Sequence, residues 1–136
     1  MSVIEWKQEF KTGIPSIDYE HEHLIAVIND LADTISVDAP LDEIEFHLGE
    51  IYALIEAHFA LEEKIMRDMK YLGYAEHKED HDRLLDEIRD IMENVAKDGA
   101  FDYRVALGER VGTWFGLHFK TLDPKLHALI HGAGYR

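Results

Sequence analysis

Residues 41–69 read LDEIEFHLGEIYALIEAHFALEEKIMRDM, and in them Ile44, Leu48, Ile51, Leu54, Ile55, Phe59 and Ile65 or Met66 recur at three- and four-residue steps. That spacing puts one apolar stripe along a helix of 3.6-residue period. Working outward, the same pattern holds from about residue 18 to 37 (Leu24, Ile25, Ile28, Leu31, Ala32, Ile35) and from about 75 to 97 (Leu84, Leu85, Ile88, Ile91, Met92, Val95). It holds again from about 102 to 122 (Val105, Leu107, Val111, Trp114, Phe115, Leu122). Gly13-Ile14-Pro15, Asp38-Ala39-Pro40, Gly73, Asp98-Gly99 and Asp123-Pro124 punctuate the ends of these segments. Amphipathic helices of this length joined by short connections run antiparallel, so an all-α, up-down-up-down four-helix bundle is expected over residues 1–136 as a single domain. No segment alternates with period two, which argues against strands. The arm before the first helix carries Trp6, Phe10 and Ile14 at four-residue steps and is expected to pack across the bundle.

Composition narrows the function. Lys+Arg 14 against Asp+Glu 28 gives a formal charge of −14, which repels nucleic acid from most of the surface. Cys is 0, which excludes disulfides, zinc–thiolate sites, iron–sulfur clusters and a cysteine nucleophile. No apolar run approaches the roughly 18 residues that span a bilayer. No membrane insertion and a cytoplasmic location are therefore expected. Against this background His 9 stands out, because imidazole and carboxylate are the abundant metal-ligand types.

His58 and Glu62 lie four residues apart on the second helix, and His77 and His81 four apart on the third, so each pair projects from one helix face. On the fourth, Asp123 follows His118 by five residues, about 140° round an ideal helix, and can join it only where the helix ends or widens. His21 and His23 point about 200° apart, and His21 is the one in register with Leu24 and Ile28. With His 9 and Asp+Glu 28 among 136 residues, one such pair is common by chance. Every pair in register with an apolar stripe is not, since a buried unpaired polar group costs about 1–3 kcal/mol. A shared metal resolves that cost. Five imidazoles (His21, His58, His77, His81, His118) and two carboxylates (Glu62, Asp123) exceed one tetrahedral zinc and fit two octahedral ions with carboxylate bridges, a bridging oxygen and one open position. The ligand types suit iron and also serve manganese or zinc. His47, eleven residues before His58, reads as a core or rim histidine. His23, Glu63, His127 and His131 read as surface or tail, and Glu79-Asp80 and Asp82 as solvated helix faces.

Several motifs together carry a resemblance. They are Ile17-Asp18-Tyr19-Glu20-His21, then His58 to Glu62 with Glu63 and Met66, Gly73-Tyr74 before His77 to His81, and His118 to Asp123, with Trp6 and Gly13 in the arm. In order and spacing the chain resembles the bacterial hemerythrins over nearly its whole length, with no departure at the seven ligand positions. The resemblance implies a non-haem di-iron centre (Fe2+/Fe3+) that binds O2 reversibly. By position, His77, His81 and His118 would hold one iron and His21 and His58 the other, with Glu62, Asp123 and an oxo or hydroxo group bridging.

Five neutral imidazoles with two carboxylates put less negative charge on the metals than the Glu-rich sets of di-iron enzymes, which favours binding over oxygen-bond cleavage. Leu24, Phe59, Trp114 and Phe119, each near a ligand in sequence, are the expected walls of a dry O2 pocket. The first expectation is an oxygen carrier, storage or delivery protein, not an enzyme, with O2 as ligand and an oxygen-consuming enzyme as recipient. The alternatives are a di-iron redox enzyme acting on O2, peroxide or nitric oxide, and an O2 or redox sensor working through a separate partner.

Overall fold

The computed structural model describes residues 4–11, 15–35, 39–98 and 100–132. Helices α1 (Pro15–Asp33), α2 (Leu41–Asp68) and α3 (Tyr74–Lys97) are followed by a fourth rod made of three consecutive stretches. These are α4 (Tyr103–Ala106), a wide π-type turn at Leu107–Val111, and α5 (Gly112–Gly132). Together they form an antiparallel four-helix bundle.

The apolar stripes meet in one core. Leu24, Ile25, Ile28 and Ala32 from α1 pack with Leu48, Ile51, Ile55 and Phe59 from α2. Leu84, Leu85, Ile88, Ile91 and Val95 from α3 join them, with Leu107, Val111, Phe115 and Phe119 from the fourth rod.

Three expectations need correction. α1 begins at Pro15, three residues before Asp18, because proline at the first helical position has its φ already set and lacks only an N–H that would be unpaired there. It ends at Asp33, short of residue 37, and residues 36–38 lie outside the described set. The fourth rod does not stop at Leu122: it runs through Pro124 to Gly132, and Leu126 is fully buried beyond the proline. Val105, placed in the stripe by its spacing, is 51% exposed. The π-type turn just after it holds more residues per turn and resets the helical phase from Leu107 onward.

Helix ends set the placement of the functional residues. α2 closes with Lys70 in the left-handed region (φ 55), a Tyr71 N–H bond to the Met66 carbonyl at 2.9 Å and a Lys70 N–H bond to the Arg67 carbonyl at 3.1 Å. This pair of bonds is the Schellman arrangement, and Tyr71 packs on Met66 as that motif favours. It turns the chain sharply into α3, so the end of α2 faces the start of α3. Lys70→Gly is expected to raise stability by about 0.5–1 kcal/mol, because glycine carries no Cβ penalty at positive φ; urea unfolding measures it. A lower midpoint would count against this account of the turn.

The arm is tied down at Ile4, whose N–H donates to Asn29 Oδ1 at 2.9 Å and whose carbonyl accepts from Asn29 Nδ2 at 2.8 Å. Phe10 lies over Gly116, where a Cβ would come within 3.2 Å of its ring. Trp6 meets Phe10 edge-on at 5.5 Å, so the arm crosses the bundle as its aromatic residues suggested. Ile14 falls outside the described residues. Among the described residues, no helix is long and apolar enough to cross a membrane.

Candidate metal centre

At the end of the bundle where α1 and α3 begin and α2 ends, six polar side chains are buried. They are His21, Glu62, His77, His81, His118 and Asp123, none more than 6% exposed. Glu62, His77, His81, His118 and Asp123 form one group whose ligand atoms all lie within 4.8 Å of one another. Glu62 Oε1 is 2.9 Å from His77 Nε2 and 3.0 Å from His81 Nε2. Asp123 Oδ1 is 3.0 Å from His77 Nε2 and 2.7 Å from His118 Nε2, while its Oδ2 lies 3.1 Å from His21 Nε2.

His21 therefore adjoins the group through Asp123. His58, half-buried, stands at its edge with its ring 6.3 Å from that of His21. The offset of about 140° between His118 and Asp123 turns out to be used rather than relieved. His118 sits beside α3 at Asp80, and Asp123 reaches across to α1 at His21. Side-chain reach accomplishes what a break in the helix was expected to supply.

The aromatic residues expected around the pocket lie flat on the imidazoles. Phe59 stacks on His81 (3.8 Å, 2°), Phe119 on His21 (3.8 Å, 3°) and the half-buried Trp114 on His118 (4.3 Å, 14°). Leu24 is buried in the adjoining core.

Electrostatics show how tightly the charges are interlocked. Burial disfavours the His118 cation, but Asp123 and Asp80 outweigh it and its pKa rises to about 9. Burial would raise Asp123, yet His118, His21 and His77 hold it well below the usual carboxylate range. His77 rises because Asp123 and Glu62 overcome its own desolvation, whereas burial lowers His58. Protein partners alone leave the group incompletely satisfied. His81 Nε2, His118 Nε2 and Asp123 Oδ1 are buried and close to opposite groups, but none makes a hydrogen bond of acceptable geometry. Imidazole and carboxylate donors converging this closely are the ligand set of a shared cation.

Two residues read as solvated belong to this centre. Glu63 Oε2 accepts from His81 Nδ1 at 2.9 Å, and Asp80 Oδ2 accepts from His118 Nδ1 at 2.8 Å. Their side chains are only 12% and 17% exposed. The signal in sequence was adjacency, since Glu63 follows Glu62 and Asp80 precedes His81. Glu79 and Asp82 are exposed, as is His23. His47 is half-buried and paired with Glu50 at 2.6 Å, away from the centre, which fits a rim histidine. The side chains of His127 and His131 lie outside the described residues.

The family model described as the hemerythrin HHE cation binding domain matches residues 12–130. The chain is 29% identical to hemerythrin subunit 1 of Golfingia vulgaris over 125 residues, 92% of this chain and 91% of that one. It is 30% identical to myohemerythrin of Sipunculus nudus over 120 residues, 88% of each chain. With the bacteriohemerythrin of Ralstonia nicotianae it shares 28% identity over 129 residues, 90% of this chain and 85% of the relative. A bundle with buried imidazoles and carboxylates gathered at one end, and a family model spanning residues 12–130, lead to one conclusion: the chain belongs to the hemerythrin family.

Proposed function

We propose that this chain binds O2 reversibly at two non-haem iron ions and serves as a carrier, store or delivery protein, with residues 1–136 working as one di-iron domain. The observation that carries the reading is the buried group of Glu62, His77, His81, His118 and Asp123, walled by rings lying flat on its imidazoles. In this proposal His77, His81 and His118 would hold one iron and His21 and His58 the other, with Glu62 and Asp123 serving both. The ions supply the electrons that O2 takes on binding and returns on release.

The chain's own residues make such binding reversible in two ways. Asp123 directs one oxygen toward His77 and His118 and the other toward His21, a disposition suited to a carboxylate that serves two cations. Phe59, Trp114, Phe119 and Leu24 place apolar surface beside the imidazoles and so exclude water there, a surrounding suited to reversible binding. The predominance of imidazole over carboxylate limits the negative charge delivered to the metals, which supports binding over turnover. The reading places the protein in the cytoplasm with an oxygen-consuming enzyme as recipient.

The test is an anaerobic Fe(II) titration followed by air exposure and then degassing, with iron per chain and the visible spectrum recorded at each stage. Two irons per chain and a colour that appears with O2 and fades on its removal are expected. Irreversible oxidation or continuous O2 consumption would replace the carrier reading with a redox enzyme, and failure to take up iron would end both.

A further inference from the structure

We propose that Glu63 and Asp80 are positioning residues for the metal centre, each accepting the outer N–H of a histidine presented by the next helix. The inference rests on reading the buried group as a metal site. Glu63 on α2 serves His81 on α3, and Asp80 on α3 serves His118 on α5, at 2.9 and 2.8 Å. α2 therefore aims an imidazole of α3, and α3 aims one of the fourth rod.

The chemistry of imidazole makes this more than a surface contact. In a neutral ring one nitrogen carries the proton and the other the lone pair, so a carboxylate that accepts at Nδ1 leaves the lone pair at Nε2. The Nε2 atoms of His81 and His118 are the ones that face Glu62 Oε1 and Asp123 Oδ1, at 3.0 and 2.7 Å. Fixing the tautomer and fixing the direction of the lone pair are thus one act. A carboxylate behind an imidazole also raises its basicity and strengthens its bond to a metal.

Each carboxylate has a cation from α3 beside it. Lys78 Nζ lies 3.7 Å from Glu63 Oε1, and Arg83 Nη1 lies 3.3 Å from Asp80 Oδ1. The Asp80 backbone carbonyl accepts from Trp114 Nε1 at 3.1 Å, so the indole that stacks on His118 is anchored to the same residue. Asp80 fixes that ring by its side chain and the neighbouring aromatic wall by its main chain.

The test titrates the full metal-free chain with Co(II) alone and records proton NMR of the loaded protein in water. Asp80→Ala and Glu63→Ala are each expected to weaken Co(II) binding by about 10- to 100-fold. Asp80→Asn and Glu63→Gln retain an accepting oxygen and should recover most of that loss. Each alanine variant should also lose, or shift, one strongly displaced, slowly exchanging imidazole N–H signal. Asp86→Ala, at an exposed position paired with Arg89, serves as the unaffected control. Affinities within twofold of the unmodified chain together with unchanged N–H signals would overturn the proposal. So would equal losses in alanine and amide variants accompanied by loss of helix content, since that marks a structural role. Failure of the unmodified chain to bind Co(II) would instead bring down the metal-centre reading and this proposal with it.

Discussion

Replacing Glu62 by alanine is expected to abolish stable iron loading while leaving the bundle helical. Its Oε1 lies 2.9 Å from His77 Nε2 and 3.0 Å from His81 Nε2, so it is shared by both α3 imidazoles. Without it two ring nitrogens face a small void, and the buried group loses one of its two carboxylates. Loss of an outer carboxylate already weakens metal binding by about 10- to 100-fold, and a group offered directly to the metal should cost more. His77→Ala should have the same effect, because His77 lies within 3.0 Å of both Glu62 and Asp123. His23→Ala, at an exposed position on the opposite side of α1 from His21, should load as fully as the unmodified chain. Iron per chain after anaerobic loading and gel filtration, read beside far-ultraviolet circular dichroism, makes the comparison. Full iron retention by Glu62→Ala would remove Glu62 from the ligand set. A collapse of helicity instead would mean that the metal-free cluster holds the bundle together.

The helices were legible because burial imposes a 3.6-residue period that no other constraint in these segments opposes. In α3 every expected stripe residue except the half-buried Met92 is fully buried. The fourth rod was read less well for two physical reasons. A π-type turn at Leu107–Val111 resets the phase, and nothing in a pattern of apolar positions distinguishes an insertion of this kind from ordinary drift. Pro124 reads locally as a stop, but Leu126 beyond it packs against Met66 at the end of α2, and that burial carries the helix past the lost hydrogen bond. Glu63 and Asp80 were hidden by their own neighbours. Charge in a run such as Glu79-Asp80-His81-Asp82 looks uniformly solvated, and only the placement of α2 against α3, and α3 against α5, separates the two half-buried acceptors from the exposed acids beside them.

Phe119→Ala should damage stability and oxygen binding by separable routes. The ring is 1% exposed, lies flat on His21 at 3.8 Å, and is backed by Phe115 at 4.9 Å and Phe10 at 6.1 Å. Truncating a buried phenylalanine costs about 3–5 kcal/mol, which in a chain of this size lowers the melting temperature by on the order of 10–20 °C. Phe10 also lines a surface cavity of about 640 Å³ between the arm and the α4–α5 rod. Phe119 thus stands between that cavity's wall and His21, and its removal opens a path for water toward the imidazole. On the proposed function, autoxidation of the oxygenated protein should accelerate accordingly, because exclusion of water is what would keep oxygen from leaving as a reduced species. Phe119→Leu separates the two effects: it keeps most of the apolar volume, so the melt should recover more than half of the loss, while the flat contact with His21 is gone. If dryness controls reversibility, the leucine variant should hold its visible band nearly as long as the unmodified chain and outlast the alanine variant severalfold. If the stacked ring itself orients His21, both variants should lose the band at similar rates despite different melting temperatures. An alanine variant that melts and autoxidises like the unmodified chain would contradict both roles for Phe119.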